Sequence, residues 1–126
     1  MARTCLLIED DRDDQEIFTM ALREVDAKVE CVYANNGFDA LKLLQQTSLH
    51  FPDFIIIDVN MPRMNGLACL QEIKKMTPGK DVRIIMYSTS SEGGIVNESK
   101  ALGANDFFVK PSSFEVLIHK LKEIFL

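Results

Sequence analysis

The sequence has no surplus of lysine and arginine: 14 basic residues stand against 19 acidic ones, a net charge of -5. A nucleic-acid footprint needs the reverse balance, gathered on one face, so direct nucleic-acid contact is not expected. No apolar run approaches the length of a membrane span, so no membrane insertion is expected. The opening MARTCLLIED lacks a charged-then-greasy leader, because its apolar run stops at Ile8. Cysteine is scarce. Cys5, Cys31 and Cys69 are an odd number at wide spacing, and they read as buried reduced thiols rather than a disulfide frame. Linkers, repeats and low-complexity tracts are missing as well. These absences together imply the cytoplasm and one folded unit over residues 1–126.

What is present suits such a unit. A chain of 126 residues is enough for one domain and short for two. At this length roughly two-thirds of the unfolded surface is buried on folding, so no disulfide or metal staple is needed. The 47% hydrophobic and 26% charged content is ordinary for a globular domain.

Hydrophobic patterning alternates between two periods. Thr4–Ile8 is a short apolar run ending in acids. Asp13–Val25 carries a helical stripe of Ile17, Phe18, Ala21, Leu22 and Val25. Lys28–Ala34 alternates, with Val29, Cys31 and Tyr33 on one side. Asn36–Gln46 reads as helix. Phe54–Ile57 is an unbroken apolar run, as in a central strand buried on both faces. Leu67–Lys75 is helical, Val82–Tyr87 is a second buried strand, and Glu92–Leu102 is a helix weakened by Gly93 and Gly94. Phe107–Val109 is a strand stopped by Pro111, and Ser113–Phe125 is the last helix. Five strands alternating with five helices predict an α/β fold: a doubly wound parallel sheet with helices on both faces.

In such sheets the ligand site lies at the carboxyl ends of the strands. Glu9, Asp10 and Asp11 follow strand one, Asp58 follows strand three, Ser88, Thr89 and Ser90 follow strand four, and Lys110 follows strand five. Several carboxylates at one rim cannot all stay ionised without a compensating cation. Magnesium suits an all-oxygen set, since it takes few protein ligands and keeps waters. A metal, a lysine, a hydroxyl and an aligned nucleophile are the parts that phosphoryl transfer needs. Asp58, alone at the end of a buried strand, is the natural carboxylate nucleophile. Each feature also has a plain structural account. The acidic run could simply favour a helix N-terminus, which is the account preferred for Asp11, Asp13 and Asp14. Ser88–Ser90 could be a polar turn, with Ser90 and Ser91 as caps, and Lys110 could be a solvated lysine. It is the convergence of four such features on one rim that favours the site.

The stretch PDFIIIDVNMPRMNG, Pro52 to Gly66, resembles the phospho-acceptor segment of two-component response-regulator receiver domains. There an Asp ends strand three and a Met-Pro-x-Met-x-Gly loop follows. LLIEDDRDD looks like the family's acidic pair and GANDFFVKP like its lysine segment. The steps from Asp58 to Ser88, 30 residues, and to Lys110, 52 residues, are the family's spacings. The resemblance covers essentially the whole chain. It implies a flavodoxin-like strand order 2-1-3-4-5 and a phosphoprotein that takes its phosphoryl group from a sensor histidine kinase or phosphotransfer protein. Asp58 would be the acceptor. Mg2+ would be held by Glu9, Asp10, Asp58 and the backbone carbonyl of Asn60. Lys110 would pair with Asp58, Ser88 would turn toward the phosphoryl group, and Phe107 would take the aromatic switch position. The Lys110–Pro111 bond would be cis. Three residues depart from the commoner pattern: Glu9 for Asp, Ser88 for Thr and Phe107 for Tyr. Each keeps the required chemical group, although Glu9, longer by one methylene, could reach the metal through water.

With no output domain expected after the last helix, the signal would leave by altered protein contacts or by phosphorelay. The expected contact face is helix Glu92–Leu102, strand Phe107–Val109 and helix Ser113–Phe125. Such a protein is no enzyme beyond its own phosphorylation and dephosphorylation. Three rival readings are a small haloacid-dehalogenase-like phosphohydrolase, a flavodoxin-like cofactor binder, which would want a glycine-rich phosphate loop where this chain has a run of acids after strand one, and a degenerate receiver acting only as a binding module. The first needs a second Asp two residues after the nucleophile, where this chain has Asn60, which cannot trade a proton at neutral pH.

Overall fold

A computed structural model describes residues 3–46, 51–78, 80–90 and 93–126. The elements alternate as the patterning predicts: β1 Thr4–Ile8, α1 Arg12–Val25, β2 Glu30–Ala34, α2 Gly37–Gln46, β3 Phe54–Asp58, α3 Gly66–Lys74, β4 Arg83–Ser88, α4 Gly93–Ala101, β5 Asp106–Val109 and α5 Phe114–Phe125. The five strands form one parallel sheet in the order β2-β1-β3-β4-β5. Among the described residues no helix is long and apolar enough to cross a membrane.

Two cores lie on opposite faces of the sheet. On one face Phe18, Ala21 and Leu22 of α1 and Leu117, Leu121 and Phe125 of α5 pack against Cys5, Leu7, Ile56 and Tyr87. On the other, Ala40 and Leu44 of α2 and Cys69, Leu70 and Ile73 of α3 cover Leu6, Ile8, Ile55, Ile57 and Met86. Strand β3 feeds both, and all five of its residues are buried. That is why its sequence is a continuous apolar run instead of an alternation.

Local chemistry sets the helix starts. The Asp11 carboxylate accepts from Asp14 N–H at 3.1 Å and begins α1 at Arg12, one residue before the predicted start. Asn65 caps α3 through Ala68 N–H at 2.9 Å, and Ser113 caps α5. The predicted start of the fourth helix, Glu92, and the Ser91 cap lie outside the described residues.

Strand β2 starts later than its alternation suggests. Val29 N–H bonds Asp26 O at 3.2 Å and so belongs to the turn, and the ladder begins at Glu30 opposite Thr4. Because β2 is an edge strand, its apolar side chains are only partly covered. Val29 and Cys31 pack on the α1 and α5 side, while Tyr33 stays 39% exposed. Cys31 is therefore only half-buried, unlike Cys5 and Cys69. The Lys110–Pro111 peptide, expected cis, is trans. Trans is the intrinsically preferred isomer of such a bond, by about 0.5–1 kcal/mol.

Candidate functional site

The carboxyl ends of β1, β3, β4 and β5 converge as the topology requires. Asp58 is the last residue of β3 and Ser88 the last of β4. Glu9 and Asp10 directly follow β1, and Lys110 directly follows β5. Carboxylate oxygens of Glu9, Asp10 and Asp58 all lie within 4.8 Å of one another. Glu9 is 0% and Asp58 1% exposed, whereas Asp10 faces solvent. The Lys110 ammonium sits among three acids, 2.9 Å from Glu9, 3.2 Å from Asp14 and 3.3 Å from Asp58.

The electrostatics follow from burial and crowding. Burial first, then the neighbouring Glu9 carboxyl, push Asp58 up to about 7, against a bond from Asn60 N–H at 2.9 Å. Burial and Glu9 raise Asp10 as well. Burial would also raise Glu9, but hydrogen bonds from Tyr87, Asp58 and Lys110 outweigh it and hold Glu9 below its ordinary value. For Lys110, burial opposes the charge, yet Glu9 and Asp58 more than compensate and its pKa is raised. Three carboxyl groups thus share one lysine, and one of them is driven toward its neutral form. A donor set of hard oxygens short of positive charge fits a small divalent cation.

Glu9 itself has little capacity left to ligate directly. Its Oε1 accepts from both the Tyr87 hydroxyl and Lys110, and its Oε2 accepts from Asp11 N–H at 3.2 Å.

The loop after β3 is shaped by backbone contact. Gly66 N–H donates to Val59 O at 3.0 Å, and a Cβ at Gly66 would lie 2.3 Å from the backbone oxygen of Asp58. Only glycine permits that approach. On the other side of Asp58, Ser88 Oγ donates to Asn60 Oδ1 at 2.8 Å, and Thr89 N–H donates to the same oxygen at 3.2 Å. Ser88 is 0% exposed. By the two-residue period of β4 it shares a face with Ile84 and Met86, in the α2 and α3 core. Phe107, the register partner of Met86, is half-buried and packs in that same core.

Sequence reasoning missed two contributors. Tyr87, 4% exposed, donates to Glu9 and lies under Lys110, whose ammonium is 4.7 Å from its ring centre. Asp14, read as a first-turn acid of α1, also pairs with Lys110. The signal for Tyr87 was available in the strand period, which turns it to the face opposite Ser88. Asp14 carried no signal, since its partner is 96 residues away.

Comparison with known proteins agrees with this fold. The model of the response regulator receiver domain matches residues 5–122. The chain belongs to the response regulator receiver family. This receiver is 34% identical over 122 residues to the probable C4-dicarboxylate response regulator DctR of Priestia megaterium, covering 97% of this chain and 51% of that one. It superposes on the phosphorylated cyanobacterial phytochrome response regulator RcpA with a TM-score of 0.86 at 26% identity, covering 98% of this chain and 91% of that one. The Mn2+-bound response regulator Rcp1 gives a TM-score of 0.82 at 25% identity, covering 97% and 91%. The receiver spans about half the length of the first curated relatives it matches. Its function is phospho-acceptor signalling in a two-component system, the family's partners being histidine kinases or phosphotransfer proteins. Nothing in these comparisons supports a phosphohydrolase.

Proposed function

We propose that Asp58 is the phosphoryl acceptor. The observation that carries this is its place: a carboxylate on the last residue of the fully buried β3, beside two further acids and a lysine. A carboxylate oxygen of Asp58 attacks phosphorus, the donor's leaving group departs, and an acyl phosphate results. Asn60 N–H, bonded to Oδ1, holds the carboxylate in one orientation. Lys110, already 3.3 Å away, pairs with the incoming phosphoryl oxygens. Ser88 Oγ can exchange Asn60 for a phosphoryl oxygen.

Mg2+ would be held by Asp10, Asp58 and the Asn60 backbone carbonyl, with Glu9 reached through water because its oxygens are engaged. The bound cation would supply neutralisation of the phosphoryl charge. That Rcp1 binds Mn2+ supports a divalent site in this fold. Beyond its own phosphorylation and dephosphorylation the receiver catalyses nothing, and it works in the cytoplasm.

A phosphodonor protein would meet an apolar groove of about 270 Å³ that opens beside Lys110 and is lined by Ile17, Pro111 and Phe114. The signal would leave over α4, β5 and α5. If Ser88 turns toward the phosphate, space opens on the face where Phe107 packs, and a rotamer change of Phe107 would carry the event to that surface. The test is mass spectrometry after incubation with acetyl phosphate and Mg2+. One phosphoryl group on wild type and none on Asp58→Asn is expected. Equal labelling of the variant would overturn the assignment.

A further inference from the structure

Cys5 and Cys31 are register partners on the adjacent parallel strands β1 and β2. Both point to the α1 and α5 side of the sheet, where Cys5 is 1% exposed and Cys31 packs at the core's margin. Cross-strand neighbours sit about 4.7–4.9 Å apart. Disulfide-bonded residues have Cα atoms about 4.4–6.8 Å apart, so the pair lies within bonding range. Cys31 also lines a surface groove of about 440 Å³ between β2 and α1, open to small solutes. Cys69 lies in the core on the opposite face and has no such partner. Nothing in the phosphoryl chemistry uses the pair.

We propose that Cys5 and Cys31 form a dithiol oxidation site, which hydrogen peroxide entering the groove converts to a disulfide joining β1 to β2. Cys31 is the attacking group. It lines the groove, whereas Cys5 is 1% exposed and out of a solute's reach. The Cys31 thiolate attacks one peroxide oxygen and the O–O bond breaks. Cys31 becomes a sulfenic acid, and the second oxygen leaves as hydroxide, which takes up a proton to become water. The Cys5 sulfur then attacks the Cys31 sulfur. The S–S bond forms, the S–O bond breaks, and the oxygen leaves with the Cys5 proton as a second water. The two thiols lose two electrons in all and the peroxide gains them. Strand β2 has a partner on one side only, so it can shift as the bond forms. The link would pin β2 to the strand that leads into Glu9, whose N–H already bonds Ala34 O at the end of β2.

Tryptic cleavage separates the three thiols, since Cys5 falls in peptide 4–12, Cys31 in 29–42 and Cys69 in 64–74. Folded wild-type protein is treated with hydrogen peroxide, alkylated, digested without reductant and mapped by mass spectrometry. Peptides 4–12 and 29–42 should appear joined, with loss of alkylation at Cys5 and Cys31 together, and should separate on adding dithiothreitol. Cys69 should remain alkylatable after unfolding. In Cys5→Ala the sulfenic acid on Cys31 should persist and be trapped by dimedone. If Cys5→Ala does not fold, the wild-type map alone decides. Cys5 still alkylatable after Cys31 is oxidised, or a link involving Cys69, would overturn the proposal.

Discussion

Asp58→Asn should stabilise the metal-free protein in a way that depends on pH. In the wild type, burial and Glu9 raise Asp58 from 3.8 to about 7. The native state therefore holds a proton that the unfolded chain has lost, over the window from about pH 4 to about pH 7. Stability falls with rising pH wherever the native state binds more protons, so it declines through that window and is flat above it. At about 1.4 kcal/mol per pH unit the ceiling is about 4 kcal/mol. Asp58 is fully covered by side-chain area, but its neighbour Asp10 is open to water, which screens the rim. Allowing for that screening halves the figure to about 2 kcal/mol.

Asparagine keeps the main contacts without the charge. Its Oδ1 can accept from Asn60 N–H as Asp58 does, and its Nδ2 can donate to Glu9. Lys110 loses one acid but keeps Glu9 and Asp14. Urea unfolding without metal should therefore find the two proteins similar near about pH 4, and the variant about 2 kcal/mol more stable near about pH 8. Glu9, held below its ordinary value, loses its stabilisation only as pH falls further, and Lys110 titrates far above. The difference between wild type and variant removes the groups that Asp58 does not touch. Saturating Mg2+ should restore wild-type stability by mass action and leave the variant little changed. Parallel pH profiles for the two proteins would refute the reasoning.

Three further outcomes follow from the same geometry. Lys110→Ala should slow labelling by acetyl phosphate while circular dichroism shows the fold retained; normal labelling would make Lys110 a bystander. Gly66→Ala should cost about 1–3 kcal/mol in urea unfolding, because the new Cβ overlaps the Asp58 backbone. Phe114→Ala, at the apolar groove, should weaken transfer from a protein phosphodonor yet leave labelling by acetyl phosphate unchanged; equal loss in both assays would exclude a docking role.

Much of this was legible in the sequence because parallel α/β order converts chain position into spatial position. Once the strands alternate with helices, every residue that ends a strand shares one rim, so Glu9, Asp58, Ser88 and Lys110 could be grouped before any distance was known. Buried strands were equally plain, since Phe54–Ile57 has no polar residue to alternate with. What stayed hidden depends on side-chain reach across the fold. The same-face partnership of Cys5 and Cys31 needs the register of β1 against β2, which no local pattern encodes. The charge of Lys110 was foreseen but its division among Glu9, Asp14 and Asp58 was not. The edge position of β2 left Tyr33 exposed where alternation alone would have buried it.

The extra methylene at Glu9 links these observations. It carries the carboxylate to the Tyr87 hydroxyl on one core face and to Lys110 beside Asp58. Both contacts fall on Oε1, and a side chain one methylene shorter would withdraw that oxygen from the Tyr87 hydroxyl. Glu9→Asp should therefore leave the buried Tyr87 hydroxyl without its acceptor, at a cost of about 1–3 kcal/mol in stability. The freed carboxylate would face Asp10 and Asp58 with acceptor sites to spare. Ligation would no longer cost a hydrogen bond, worth about 0.5–1.5 kcal/mol, so Mg2+ should bind about two- to tenfold more tightly. Calorimetric titration at a pH well above 7, where Asp58 is ionised, reads the affinity directly. Tyr87→Phe separates the two effects: it also frees Glu9 from the tyrosine, but it leaves the longer side chain and the Lys110 contact in place. Its affinity should fall between wild type and Glu9→Asp. Unchanged or weaker binding in Glu9→Asp would show that Glu9 already ligates as well as an aspartate can, and that its bonds to Tyr87 and Lys110 do not compete with the metal.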